Sequence, residues 1–427
     1  MWKVNGKRTN DENEVIKAFG LKYPPMVKSL LDIDLYKQSM GQAYHHQFAN
    51  DKATWDFKAR NVGDGLAHEK YNHDDYVEIV NQLKAYCSLR FDEDELEYLN
   101  IKFPWIHHDY TNFLSFWHPR FEDFDVTEGG LSGIEIHFKG VQEYVTYYEI
   151  PTLEITAETY YRNHYDYDKL LEDFKKETFE KIAKVKSGEY DLGTFSEFGA
   201  RRRLSFEAQD WLIKTLKESD IKGFVGTSDV YLAKKYGIGA VGTMAHEWIM
   251  TTGEGHPEHN PAYANKYALD AWVKEYGVWN GIALTDTITT DCFLLDFQKT
   301  FATLFSGVRH DSGDPFAWGD KIIEHYKSLG IDPNTKTLLF SDGLNGESTT
   351  KINKYFKGRA KVAFGIGTWW SAPQCINPLN IVAKTVLVNG GDVCKLSDAE
   401  GKNMSRNPEY IDYLKRCVSW RMNNIKR

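Results

Sequence analysis

The sequence of 427 residues predicts an α/β fold, and three observations carry that expectation. From about residue 190, short apolar runs end in small or polar residues: IKGFVGTSD, GIALTDT, FSGVRHDSGD, TLLFSDG and KVAFGIGT. Continuous apolar runs suit parallel strands covered on both faces. A helix-like segment usually follows, as in DVYLAKKYG, PFAWGDKIIEHYKSLG and STTKINKYFKG. The last run ends are spaced by about 25–32 residues, the length of one strand–helix unit. These repeats leave two architectures open, an α/β barrel and a doubly wound sheet.

The elements follow in order. Up to about residue 150, polar helices mix with aromatic strands. Asp74 to Leu89 reads as a helix and DEDELEYLNI as a capped one. GLSGIEIHF and YVTYYEI alternate apolar and polar residues and read as half-exposed strands. The first 25 or so residues carry no motif and read as a tail or an added element. Further on, polar residues gather at the predicted strand ends: Thr227, Ser228 and Asp229; Thr285 and Asp286; Arg309 and Asp311; Ser341 and Asp342; Gly367 and Thr368. Both open architectures place ligands at that face. Five strand ends therefore converge on one polar site.

Composition narrows the classes. With 12 Trp, 25 Tyr, 24 Phe and a 42 % hydrophobic fraction, disorder is excluded as the main state. No stretch approaches the roughly 18 apolar residues of a membrane span; the window Asn380 to Val388 is strand-sized. The net charge of −9 argues against a protein that coats nucleic acid. The five cysteines, Cys87, Cys292, Cys375, Cys394 and Cys417, are scattered and form no C-x-x-C pair. That pattern predicts a reducing compartment, the cytoplasm.

Individual motifs are two-sided. In GVRHDSGDP, Arg309 suits bidentate phosphate binding and Asp311 suits sugar hydroxyls or a metal held through water. The same residues also read as a strand, a turn and a helix with Pro315 in its first turn. FGIGTWW offers glycines through which backbone N–H groups approach a phosphate, or a plain turn. SEFGARRRLSFEAQD sets Arg201, Arg202 and Arg203 behind Phe198, which is core or a stacking wall for a flat ligand. His246 in GTMAHEW is a lone histidine, and Met250 stands where a zinc-protease motif needs a second one. His256 and His259 have only a loose metal spacing. Paired acids at a barrel mouth also leave glycoside hydrolysis open.

Nine motifs in order, LLDIDLYKQSMGQAYHH, SEFGARRRLSFEAQD, FVGTSD, GTMAHEW, GIALTDTITTDCFLLDF, GVRHDSGDPFAWGDK, LLFSDGL, FGIGT and PLNIVAKTVLVNGGDVCKLSD, resemble nicotinate phosphoribosyltransferase in its shorter, ATP-coupled form. The resemblance implies an irregular α/β barrel of the type II phosphoribosyltransferase kind with an N-terminal α+β domain. It divides the chain into an N-terminal domain at 1–150, a barrel at 151–385 and a C-terminal segment at 386–427 that packs back on the first domain. The implied reaction joins nicotinate to 5-phosphoribosyl 1-diphosphate, giving nicotinate mononucleotide and diphosphate for NAD synthesis. It is coupled to ATP hydrolysis and needs Mg2+.

Residue roles follow from the same resemblance. Phe198 and Tyr36 look like the two walls of the pyridine slot, Tyr36 coming from a neighbouring subunit of a homodimer. Arg201 lies near ring and phosphates, and Arg309 near ribose and ring. Asp286 and Asp311 resemble the acids for ribose hydroxyls and magnesium. Gly343, Gly365 and Gly367 resemble the 5-phosphate cradle. Arg60 resembles a residue reaching diphosphate or ATP phosphates across the interface. His246 matches the histidine that ATP phosphorylates. Ser228 stands where nicotinamide-using relatives carry an aspartate; serine spares the nicotinate carboxylate a repulsion and offers a hydrogen bond. Trp369, Trp370 and Gly343 depart from the expected phosphate-loop pattern. The competing readings are a nicotinamide phosphoribosyltransferase and a non-catalytic metabolite-binding protein on the same scaffold.

Overall fold

The computed structural model describes residues 1–398, 403 and 405–425. The chain opens with a hairpin of β1 (Trp2–Val4) and β2 (Lys7–Thr9). Asn5 and Gly6 both have positive φ, as a two-residue hairpin turn of this hand requires. Trp2, Val4 and Val15 of the following helix, Glu12–Phe19, are buried, so the N-terminus is an added element packed on the core.

An antiparallel sheet comes next. β3 (Lys52–Ala59), β4 (Phe124–Gly129) and β5 (Gly133–Val141) form its first part. The helices expected after residue 70 are present at His73–Cys87 and Glu93–Lys102. Each starts with a capping box, Asn72 with Asp75 and Asp92 with Glu95. GLSGIEIHF is β5, as its alternation predicts. YVTYYEI is not a strand: it forms the turns Gln142–Val145 and Thr146–Tyr148 and enters the helix Glu149–His164. Val145, Thr146, Tyr147, Tyr148 and Ile150 are all at most 1 % exposed, so the apparent polar face does not exist. Burial on all sides, rather than intrinsic β preference, decides this segment.

The second half holds seven parallel strands: β6 (Thr194–Glu197), β7 (Phe224–Thr227), β8 (Gly239–Ala240), β9 (Ile282–Leu284), β10 (Gly307–His310), β11 (Thr337–Phe340) and β12 (Lys361–Ile366). Their spatial order is β8-β7-β6-β12-β11-β10-β9. Five match the apolar runs of the sequence. β8 and β9 are the two edges, so the barrel is open along one side, and the segment between them carries His246. Helices predicted after β7, β10 and β11 occur at Val230–Tyr236, Pro315–Ser328 and Gly346–Phe356.

The chain then returns. β13 (Ile381–Val388) pairs antiparallel with β3, and β14 (Gly391–Asp392) pairs with β13. The first sheet thus has five strands in the order β14-β13-β3-β5-β4. One continuous apolar core runs through both halves. No helix among the described residues is long and apolar enough to cross a membrane.

Candidate active site

The strand ends of the barrel meet residues from the first sheet around a cavity of about 380 Å³. Ser228 follows β7, Arg309 and Asp311 come from the end of β10, Ser341 to Gly343 follow β11, and Gly367 follows β12; all line the cavity. Phe198, Arg201, Tyr36, Arg60 and His246 line it too. Asp286 lies just behind the wall, 1 % exposed.

Tyr36 and Arg60 both line the cavity of their own chain. The Leu35 N–H donates to the Ser228 carbonyl at 2.8 Å, beside the barrel, and the Arg60 N–H to the Asn380 carbonyl at 2.8 Å, just before β13. Two sequence expectations change. Gly365 is not part of a phosphate cradle: a Cβ there would sit 2.3 Å from the Phe198 ring. It is small so that the ring can lie on it. Ser228 does not keep its hydroxyl for a ligand, since it donates to Asp34 Oδ1 at 2.5 Å. A carboxylate is therefore present beside this position after all.

The surroundings of His246 are the most constrained. Its Nδ1 lies 2.9 Å from Thr287 Oγ1. Its Nε2 lies 2.8 Å from Asp311 Oδ2 and 2.8 Å from Lys395 Nζ. Lys395 also approaches Asp286 Oδ2 at 3.2 Å. Burial first, then the Lys395 charge, pushes His246 down to about 4. The imidazole is thus neutral across physiological pH. Asp311 is held well below the usual carboxylate range: burial acts against this, and it is outweighed by the His246 hydrogen bond and the Arg309 charge.

The segment 394–398 holds this group in place. Leu396 bridges Ile288, the Thr290 N–H donates to Asp398 Oδ1 at 2.9 Å, and Ser397 contacts Ser312 at 2.9 Å. Opposite it, Thr289 has φ +57°, an outlier for a β-branched residue, held by its own N–H to the Leu396 carbonyl at 3.0 Å. A π-helical turn, Ile249–Glu254, follows His246 directly and is a further irregularity beside the site.

The other wall is cationic. Arg60, Arg201, Arg202, Arg309, Lys384 and Lys395 all face the cavity. Burial, then repulsion from Arg201 and Arg60, pushes Arg202 down to about 10. Burial pushes Lys384, on β13, down to about 8. Arg309 Nε is buried without a hydrogen-bond partner. Crowded guanidinium groups and an orphan donor suit a ligand with several anionic groups. Gly343 and Gly367 add glycine backbone to the lining of the same cavity.

A magnesium ion fits the acidic side. Asp286 Oδ1 is buried and unpartnered. His246, Asp286 and Asp311 offer ligand atoms within 4.8 Å of one another. Carboxylate oxygens are the donors such a hard cation takes. Sequence reasoning missed Lys395, Lys384, Thr287 and Asp34 as site residues, although each stands inside a quoted motif. His256 and His259 do not build a metal site; His259 stacks on Tyr267 at 3.8 Å.

Known proteins share both halves of this arrangement. The N-terminal domain of the nicotinate phosphoribosyltransferase family matches residues 31–157, and the family's main domain matches residues 194–419. A nicotinate phosphoribosyltransferase of Acinetobacter baylyi is 40 % identical, covering 92 % of this chain and 97 % of its own. One from Ectopseudomonas mendocina is 38 % identical over 91 % and 96 %. Crystal structures of nicotinate phosphoribosyltransferases from Porphyromonas gingivalis and Vibrio cholerae superpose with TM-scores of 0.82 and 0.84 at 32 % and 31 % identity. They cover 92 % and 93 % of this chain, and 99 % and 95 % of their own. By sequence and by fold the chain belongs to the nicotinate phosphoribosyltransferase family.

Proposed function

We propose that the protein joins nicotinate to 5-phosphoribosyl 1-diphosphate, releasing diphosphate and forming nicotinate mononucleotide, with ATP hydrolysis coupled through His246. The observation that carries this reading is one cavity that sets a neutral histidine beside Asp286, Asp311 and Lys395 and is further lined by Arg60, Arg201, Arg202, Arg309 and Lys384.

The chemistry follows from the residues. In the tautomer that protonates Nδ1 toward Thr287, Nε2 of His246, beside Lys395 and Asp311, carries the lone pair, and ATP takes it up by displacing the Lys395 contact. A neutral, positioned imidazole can attack the terminal phosphoryl group of ATP. Lys395, already beside Nε2, then meets the added negative charge. Arg60, Arg202 and Lys384 hold the diphosphate, and Arg309 with Asp311 holds the ribose. Gly343 and Gly367 receive the 5-phosphate. Asp286 and Asp311 would hold Mg2+, which supplies charge neutralisation at the departing diphosphate. As the bond to the anomeric carbon breaks, these fixed charges stabilise separation of an anion from a cation-like sugar. The pyridine nitrogen, oriented between Phe198 and Tyr36, adds to the opposite face.

Discrimination against nicotinamide has a revised basis. Ser228 is committed to Asp34, so the positive group nearest the ring carboxylate is Arg201, 4.0 Å from Asp34 and 3.9 Å from Glu149. A homodimer in the cytoplasm, and the division into domains at residues 150 and 385, belong to the same proposal. The test is an assay with phosphoribosyl diphosphate, Mg2+ and either nicotinate or nicotinamide, with and without ATP. Mononucleotide from nicotinate, raised by ATP, is expected. Equal turnover of nicotinamide overturns the specificity, and no product from either base overturns the reaction.

A further inference from the structure

We infer that His46, His107 and Asp109, on the N-terminal half and outside the cavity, form a binding site for a divalent transition-metal cation of the zinc class. His46 ends the helix Leu35–Gln47, whose first turn carries Tyr36. His107 precedes the helix His108–Phe116, and Asp109 lies in that helix's first turn. None of the three lines the cavity.

Ligand spacing supports the site. One nitrogen or oxygen atom from each residue lies within 4.8 Å of the other two. His46 Nε2 and Asp109 Oδ2 are 3.2 Å apart. Two ligands at about 2.0–2.1 Å on a tetrahedral ion are separated by about 3.3 Å, so this edge is already of coordination length. The rings of His46 and His107 lie with centroids 5.4 Å apart and planes inclined by 29°, and a His107 nitrogen lies within 4.8 Å of the other two ligand atoms.

The groups behind the ligands are the stronger argument. Metal-bound histidines usually pass their other ring nitrogen to a carboxylate, which fixes the tautomer and the ring plane. His46 Nδ1 does so with Glu275 Oε1 at 2.6 Å. Glu275 is itself held by Gln42 Nε2 at 2.9 Å and by Gln47 Nε2 at 3.3 Å. The fully buried Gln42 also accepts from the His107 backbone N–H at 2.7 Å. One glutamine therefore sets both the carboxylate behind the first histidine and the backbone of the second. Nitrogen and carboxylate donors in this ratio select zinc, cobalt or nickel over magnesium. Asp109 is 68 % exposed, which leaves room for water as a fourth ligand.

The experiment is a titration of untagged, full-length protein with Zn2+ and, separately, with Co2+ read by visible absorption. His246, Asp286 and Asp311 can take up the same ions, so the measurement is a difference. Asp311→Asn is expected to retain one micromolar equivalent that His107→Ala and Asp109→Ala each lose. Both of these residues are at the surface, so their variants should keep the wild-type thermal midpoint in the absence of metal. Glu275→Gln should weaken the retained equivalent by roughly 10- to 100-fold. A stoichiometry unchanged by His107→Ala, or no micromolar binding in Asp311→Asn, overturns the proposal and leaves a stacked ion pair.

Discussion

Two of the buried clusters in which a single cation faces several acidic groups behave in opposite ways. In one, Lys395 and His246 meet Asp286 and Asp311 at the cavity wall. In the other, Arg203 meets Asp32, Glu154 and Asp229 beneath it, with all four side chains inaccessible. Arg203 donates to Asp32 at 2.6 Å, to Gln209 at 3.1 Å and to the Met26 carbonyl at 2.7 Å, while its Nε has no hydrogen-bond partner. Burial pushes Glu154 and Asp229 well above the usual carboxylate range, so they resolve the excess charge by holding protons. The cavity cluster resolves it otherwise. Asp286 and Asp311 stay low, and the proton is withheld from His246. Access separates the two: a sealed cluster settles its charge within itself, whereas an open one keeps a lone pair and a spare oxygen for something that arrives.

Breaking the sealed cluster should have the largest effect. Arg203→Met strands Asp32 without its guanidinium and should cost about 3–5 kcal/mol in a urea titration. A loss under about 1 kcal/mol would mean that the sealed cluster is not structural. His246→Asn should leave stability far less changed, yet abolish phosphoenzyme and ATP hydrolysis while slow ATP-independent turnover persists. Radiolabelled ATP, with the label trapped in base, where phosphohistidine survives, and lost in acid, reads this out. Full coupling in that variant removes the assigned role.

Lys395→Met sharpens the contrast further. The lysine charge helps hold His246 near 4, so its loss should move the acid limb of phosphoenzyme formation up toward the ordinary 6.5. The linked stability has a definite sign. The folded protein refuses a proton that the unfolded chain accepts, so wild-type stability should fall as pH drops from about 6.5 toward about 4. Lys395→Met should shrink that window, and an unchanged limb would mean that burial alone sets it. The smallest effect belongs to Glu154→Gln. A carboxyl already protonated loses little as an amide, within about 1 kcal/mol in the same titration.

Much of this contrast was legible in the sequence, but unevenly. The apolar runs gave five of the seven parallel strands because burial on both faces writes itself as composition. β6, only four residues long with three of them polar (TFSE), left no such signal although it lies inside the sheet beside the central β12. YVTYYEI misled because alternation was read where every side is covered. The Asn5-Gly6 turn of the first hairpin was readable and was passed over. Arg309 and Asp311 stood out because charged residues at strand ends need a reason, whereas His246 was a lone histidine until the family resemblance gave it a role. Lys395 did not, since a lysine in a loop is ordinary until its distance to His246 is known. Gly365 shows the converse: a glycine at a strand end invites a phosphate, and only the position of Phe198 shows that a ring occupies the space.

The returning strand has a consequence for synthesis. Lys384, on a strand that docks against β3 from more than three hundred positions earlier, and Lys395, in the segment that follows it, enter the cavity only with residues 381–398. A polypeptide still emerging from the ribosome, or one cut short before residue 381, has neither lysine and should be inert. Completeness of the translated product is thereby checked by the catalyst's own assembly.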